Sequence, residues 1–199
     1  VIGYGTNRIN KYTVRRATYG LANYILEKCG EEGKGKGVVI AYDSRYKSEE
    51  FSTEAAKTLA ACGIKAYIYD SLRSTPQLSF SVRYLNCVAG IVITASHNPP
   101  EYNGYKVYWS DGGQVCPDIA NEIIQEVNKI EDYSKIPTTK LDDNLIQVLN
   151  KDIDKAFINE VKKQIINQDV IDRVGDKIKI IYTPIHGTGN IPVREVLKQ

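Results

Sequence analysis

Methionine is missing from the 199 residues, even at position 1, and histidine occurs only twice. The four cysteines, Cys29, Cys62, Cys87 and Cys116, lie far apart with no CxxC pair. So few imidazoles and no paired thiols leave little from which to build a Cys/His zinc centre. The cysteines read instead as small buried thiols of a reducing cytoplasm. No apolar run reaches membrane length, and no charged-then-apolar leader opens the chain, so no membrane partner is expected. Neither sign of charge dominates: Lys and Arg total 26 against 24 for Asp and Glu. That balance lacks the basic field nucleic acid would need. The chain starts at Val1 on a strand-like "VIGYG" and ends at Gln199 within a helical pattern, so it is expected to be a piece of a longer protein.

With 42% hydrophobic and 25% charged residues, the composition is that of a globular domain, with room for part of a second. Thr13 followed by "VRRATYGLANYILEKC" reads as a capped helix ending at Gly30. "GVVIAYD" is a strand; Ser48 caps a helix with Glu49 and Glu50 in its first turn, and "IKAYIYD" is a second strand. Thr75-Pro76 starts a third helix, and "VAGIVITA" is the third strand. This alternation predicts right-handed crossovers and a three-layer α/β/α domain. "YKVYW" follows too soon for a crossover, so it should lie antiparallel beside the third strand, giving a mostly parallel, mixed, four-stranded sheet. The first domain is placed at 1–133, a polar linker at 134–150, and the start of a similar second domain at 151–199. In that last part "KIKIIYTP" reads as a strand, "HGTGN" as a turn and "IPVREVLK" as a helix.

Three motifs bear on chemistry. "GEEGKGKG" nearly spells a P-loop, but Gly37 stands where Ser or Thr should hold magnesium, and a strand follows it; a flexible connection fits better. "HGTGN" has the context of an anion-binding turn, although Pro192 occupies the third-glycine position of a dinucleotide fingerprint. The third is "TASHNPPEYNGYKVYW". Ligands of open α/β sheets collect at the carboxyl ends of strands. There Ser96, His97 and Asn98 should meet Asp43, Ser44 and Arg45 from the first strand and Ser74-Thr75 from the second. A Ser-His hydrolase is disfavoured, because Ser96 and His97 are neighbours in sequence and no GxSxG elbow surrounds them. Metal binding by His97 with His186 lacks companion ligands. A decorated Asn-Gly hairpin explains the composition but not the company of Lys106. Phosphoryl transfer fits: a phosphoserine carries about −1.5 to −2 charges and needs cations and N–H donors around it. Lys106, Arg45 and the turn could supply them.

The serine stretch resembles the phosphoserine loop of the α-D-phosphohexomutase superfamily, the phosphoglucomutases and phosphomannomutases. "AYDSR", "STPQL" and "YTPIHGTGN" are similar to further family segments in the same order, so the resemblance covers essentially the whole chain. It implies a multidomain enzyme that interconverts hexose 1-phosphate and hexose 6-phosphate through a phosphoserine, here Ser96, and a bisphosphorylated sugar. Lys106 matches a general acid/base and His97 a residue assisting the phosphoserine, with Arg45, Asn98 and Asn103 as substrate- or phosphate-binding residues. Mg2+ would be held by the Ser96 phosphate and by ligands outside this chain, with a sugar 1,6-bisphosphate as activator. The expected partner is a phosphorylated sugar, glucose favoured over mannose or a pentose. The chain alone is expected to be inactive, and a non-catalytic phospholigand-binding module is the alternative.

Overall fold

The alternating strands and helices are present in the computed structural model, which describes residues 2–198. A short β1 (Ile2–Gly3) leads into α1 (Lys11–Lys36). Asn10, in extended backbone, caps α1 by accepting from the N–H groups of Tyr12 and Thr13. Thr13, expected as the cap, lies one turn in and completes a capping box by accepting from the Asn10 N–H at 2.9 Å. Gly30 interrupts the helix at φ 54, but helical geometry resumes and stops only at Gly37. The stretch read as a flexible connection is therefore a short helical continuation, laced by Lys34–Glu31 and Lys36–Glu32 pairs. Gly37 has φ +71, and a Cβ there would sit 2.4 Å from the Lys65 carbonyl oxygen, so only glycine fits.

Next come β2 (Val38–Tyr42), α2 (Ser48–Ala61), β3 (Ala66–Tyr69), α3 (Thr75–Tyr84) and β4 (Ala89–Ile93). The chain returns through β5 (Tyr102–Asn103), paired with β1, and β6 (Tyr105–Trp109) before α4 (Pro117–Asn128). As expected, β6 lies antiparallel against β4. The sheet differs from expectation in having five strands, ordered β6-β4-β2-β3-β7. The added strand, β7 (Ile146–Leu149), comes from the segment read as a linker and runs parallel to β3. It is a four-residue run between polar turns, and pairing with the open edge of β3 is what makes it a strand.

Every residue of β2 is buried because helices cover both faces of the sheet. Val38, Ile40 and Tyr42 pack toward α1 and α2, whereas Val39 and Ala41 join Leu78 and Val82 of α3. Leu149 and Ile153 belong to this second cluster, so the beginning of α5 (Lys151–Lys162) is built into the first domain's core. After α5 come α6 (Gln168–Val174) and, beyond the glycine turn, α7 (Asn190–Leu197). "KIKIIYTP" is not a strand here: among the described residues it has no ladder partner, and Ile181 is fully exposed. A strand exists only through its neighbours' hydrogen bonds, whatever its own propensity.

Arg73 joins the two parts. Its side chain, 7% exposed, forms a two-pronged pair with Asp154 of α5 at 2.8 Å on each prong, while Gln77 donates to the same carboxylate. It also donates to Asp70 and to the Ser71 and Leu72 carbonyls, with its plane over the Tyr69 ring.

Glu54 of α2 is buried between Arg15 and Lys57. Burial pushes its carboxyl pKa up, but bonds from Lys57 and Arg15 outweigh this and hold it below the ordinary value. A depressed pKa contributes stability above the unfolded value of about 4.3, and that contribution is lost as pH falls through the folded value. Glu54→Gln should therefore be less stable at neutral pH and show a shallower loss between about pH 5 and pH 3. Urea unfolding across that window checks it; an acid limb identical to wild type would show that Glu54 is not part of it.

Candidate active site

From β2 the chain crosses to β3 on one side, and β4 returns to the other, so the switch point of the sheet lies between β2 and β4. The register pairs Tyr42 with Ile93, which sets Asp43 beside Thr94 at the carboxyl ends of these strands. Asp43 is the hub. Its Oδ1 accepts from the Arg45 N–H and from Ser48 Oγ, and its Oδ2 from Thr94 Oγ1 at 2.6 Å and from Arg45 Nε. Thr94 Oγ1 in turn accepts from the Ser96 N–H at 2.9 Å.

Ser96 is exposed on this base with φ 55, a left-handed conformation that costs a non-glycine residue about 1–2 kcal/mol. The turn carries Ser96 Oγ toward β6, where Lys106 Nζ donates to it at 2.7 Å. The β4–β6 pairing places Lys106 opposite Val92, two residues before Thr94, so the hairpin brings the serine and the lysine together. Ser96, His97, Asn98, Ser44, Arg45 and Arg73 are among the residues lining a cleft of about 850 Å³. His97 stands exposed at its edge.

The three residues expected to bind substrate or phosphate, Arg45, Asn98 and Asn103, all make hydrogen bonds within the chain. Arg45 donates from Nη1 to the Pro99 and Tyr102 carbonyls and from Nη2 to those of Ser96 and Asn98. With Nε on Asp43, all five of its N–H groups are engaged, so it fastens the serine loop. Asn103 is fully buried and donates to the Tyr46 carbonyl and Ser48 Oγ, which ties β5 to the loop after β2. Asn98 likewise turns its amide back to the Ala95 carbonyl at 2.9 Å. Ser48, read as a helix cap, belongs to this network; the cap position falls to Lys47 in left-handed backbone.

A family model described as phosphoglucomutase/phosphomannomutase, alpha/beta/alpha domain I, matches residues 2–134. The chain belongs to the phosphoglucomutase/phosphomannomutase family. Among its curated relatives, a phosphoglucomutase of Staphylococcus haemolyticus is 39% identical over 98% of this chain. Another phosphoglucomutase, from Staphylococcus saprophyticus, is 37% identical over 99%. Each alignment spans 35% of the relative, so the chain is about a third of the length of the proteins it matches. Of the solved structures, a putative phosphomannomutase of Thermus thermophilus superimposes on 80% of this chain and 33% of its own, at a TM-score of 0.64 and 25% identity. The open form of pp63/parafusin, a phosphoglucomutase of Paramecium, shares the fold over 92% of this chain and 37% of its own, at a TM-score of 0.69 and 19% identity.

The resemblance assigns magnesium to the Ser96 phosphate and to ligands outside this chain, and the described side chains supply no complete cage of their own. Among the described residues no group of three or more His, Cys, Asp or Glu side chains is arranged to hold a metal ion. Asp43, the carboxylate beside Ser96, already accepts two hydrogen bonds on each oxygen. Sequence reading missed three contributors: Thr94 and Asp43 as supports of the serine, and Arg73. The strand register held the signal for the first two, because residues just past paired positions must be neighbours. Arg73 had none, since its partner Asp154 is remote in sequence. Of the four cysteines read as buried thiols, only Cys87 is buried; Cys29 and Cys62 are half-buried and Cys116 is exposed. Burial pushes Cys87 up to about 12 and Cys62 to about 11.

No helix among the described residues is long and apolar enough to cross a membrane.

Proposed function

We propose that this chain is the nucleophile-bearing part of a phosphosugar mutase that interconverts hexose 1-phosphate and hexose 6-phosphate, with glucose the sugar. The relatives named phosphoglucomutase support the choice of sugar. The observation that carries the reading is the Lys106 ammonium held 2.7 Å from the oxygen of a strained, exposed serine at the switch point. Phosphorylated Ser96 gives its phosphoryl group to the free hydroxyl of the bound hexose phosphate. The Oγ–P bond breaks as the sugar O–P bond forms; the serine oxygen takes a proton from Lys106, and the proton released by the sugar hydroxyl restores it. Lys106 is placed to stabilise or protonate the departing serine oxygen, the position where charge develops. His97, at the cleft edge, is placed to serve the phosphoryl group or its proton. The bisphosphorylated sugar then turns and returns its other phosphate to Ser96, so that atoms and charge balance over a cycle. By itself the chain is proposed to lack turnover.

The test is intact mass of the complete enzyme after incubation with glucose 1,6-bisphosphate and magnesium, beside Ser96→Ala. One added phosphoryl group, mapped to Ser96 and missing from the variant, is expected. No phosphate on Ser96 would favour a phospholigand-binding module instead.

A further inference from the structure

The two histidines of the chain are remote in sequence, yet His97 and His186 both line the Ser96 cleft. His186 belongs to "HGTGN", the turn that precedes α7, and its side chain is exposed. The turn is fastened to the first domain: Ser44, next to the Arg45 clamp, donates from Oγ to the His186 carbonyl at 2.5 Å. The Gly187 N–H closes back on the Pro184 carbonyl at 2.8 Å, with the β-branched Ile185 held at φ 51 between them.

A phosphoryl group in this cleft presents three strong acceptor oxygens and needs donors of matching number. The two arginines that line it are engaged elsewhere, Arg45 by the loop carbonyls and Arg73 by Asp154 and Asp70. Lys106 is directed at the serine oxygen. The side-chain N–H donors left in the cleft are the two imidazoles and the Asn98 amide, which is turned back to Ala95. Among the described residues no hydrogen bond involves the ring of His186.

We propose that His186 is a further phosphate-binding residue of this site, held over the cleft by the Ser44 hydroxyl, with a ring N–H directed to the phosphoryl group carried by Ser96 or by the sugar. Ser44 is its positioning residue. The inference rests on the phosphoserine reading for its role in turnover, but the anion contact can be tested separately.

With two histidines, the ring-proton NMR spectrum of the chain contains two imidazole signals, and His186→Gln assigns them at once. Titration with inorganic phosphate should move the His186 and His97 signals along one saturation curve. His186→Gln should weaken phosphate affinity about tenfold, the usual effect of losing one hydrogen bond to a charged group. Ser44→Ala should weaken it less and reduce the response of His186 while that of His97 persists. Phosphorylation of Ser96 by glucose 1,6-bisphosphate, tracked by mass, should move the His186 signal in the absence of free phosphate. A His186 signal that stays still while His97 moves, or that moves equally in Ser44→Ala, overturns the assignment of His186 or of Ser44 respectively. Both signals staying still overturns the site. If phosphate moves both signals but Ser96 of the complete enzyme never takes up phosphate, the anion contact stands and the mutase reading fails.

Discussion

Ser96→Ala in the complete enzyme is expected to lower mutase turnover by a factor on the order of 10⁶, the scale seen when a covalent nucleophile is removed. The loss should be chemical and not structural. Ser96 supports its own loop through main-chain atoms, the N–H on Thr94 Oγ1 and the carbonyl under Arg45, and alanine keeps both. Only Lys106 loses an acceptor, and its ammonium lies where water can replace the hydroxyl. Thermal stability should therefore change little, and hexose phosphate should still bind. Coupled-assay turnover with an unfolding curve on the same sample distinguishes the cases. Activity within tenfold of wild type would show that phosphate passes through another group.

Arg45→Met is expected to be nearly as damaging by a different route. The substitution keeps much of the side chain's length but removes every donor that gathers the Pro99, Tyr102, Ser96 and Asn98 carbonyls. Asp43 loses its charge partner as well. Without that tie, only the Thr94 and Lys106 bonds to Ser96 remain to offset its left-handed backbone, and the loop should relax. We expect about 2–4 kcal/mol of lost stability, because a partly buried carboxylate and four carbonyls lose a shared cation. Phosphorylation of Ser96 should slow by at least about a hundredfold, as misplacement of a reacting group by an ångström can do. Urea unfolding, hydrogen exchange over residues 96–102 and the rate of Ser96 phosphorylation check this. Arg45→Lys should recover little, since one ammonium cannot span four carbonyls. If Arg45→Met folds normally and Ser96 is still phosphorylated at the wild-type rate, Arg45 is not the fastening.

The layers of the fold were legible because α1, α2 and α3 and the strands between them obey periodicities that local sequence fixes. Ser96 and Lys106 were legible together for a related reason: too few residues separate β4 from β6 for anything but an antiparallel return. What sequence reading missed is non-local. β7 is a strand by virtue of the β3 edge, and "KIKIIYTP" remains unpaired for want of one. The internal bonds of Arg45 and Asn103 were not legible, because a donor aimed at a carbonyl and a donor aimed at a phosphate are the same residue on paper. Only the fold shows that the loop's own carbonyls arrive first. In this structure the polar residues that looked most like ligand contacts mostly hold the Ser96 loop in shape.

The Arg73–Asp154 pair has a mechanical consequence. Along with β7 and the Ser44–His186 bond, it braces the first domain to the C-terminal segment at three separate points. Swinging α5 away from the first domain would strip a buried guanidinium of its carboxylate, a far larger penalty than bending an exposed tether. The first domain and α5 thus behave as one stiff bracket. On the proposed mechanism, a sugar reversing itself over Ser96 would do so against this frame, and whatever travels to admit it would have to be carried by something other than this joint.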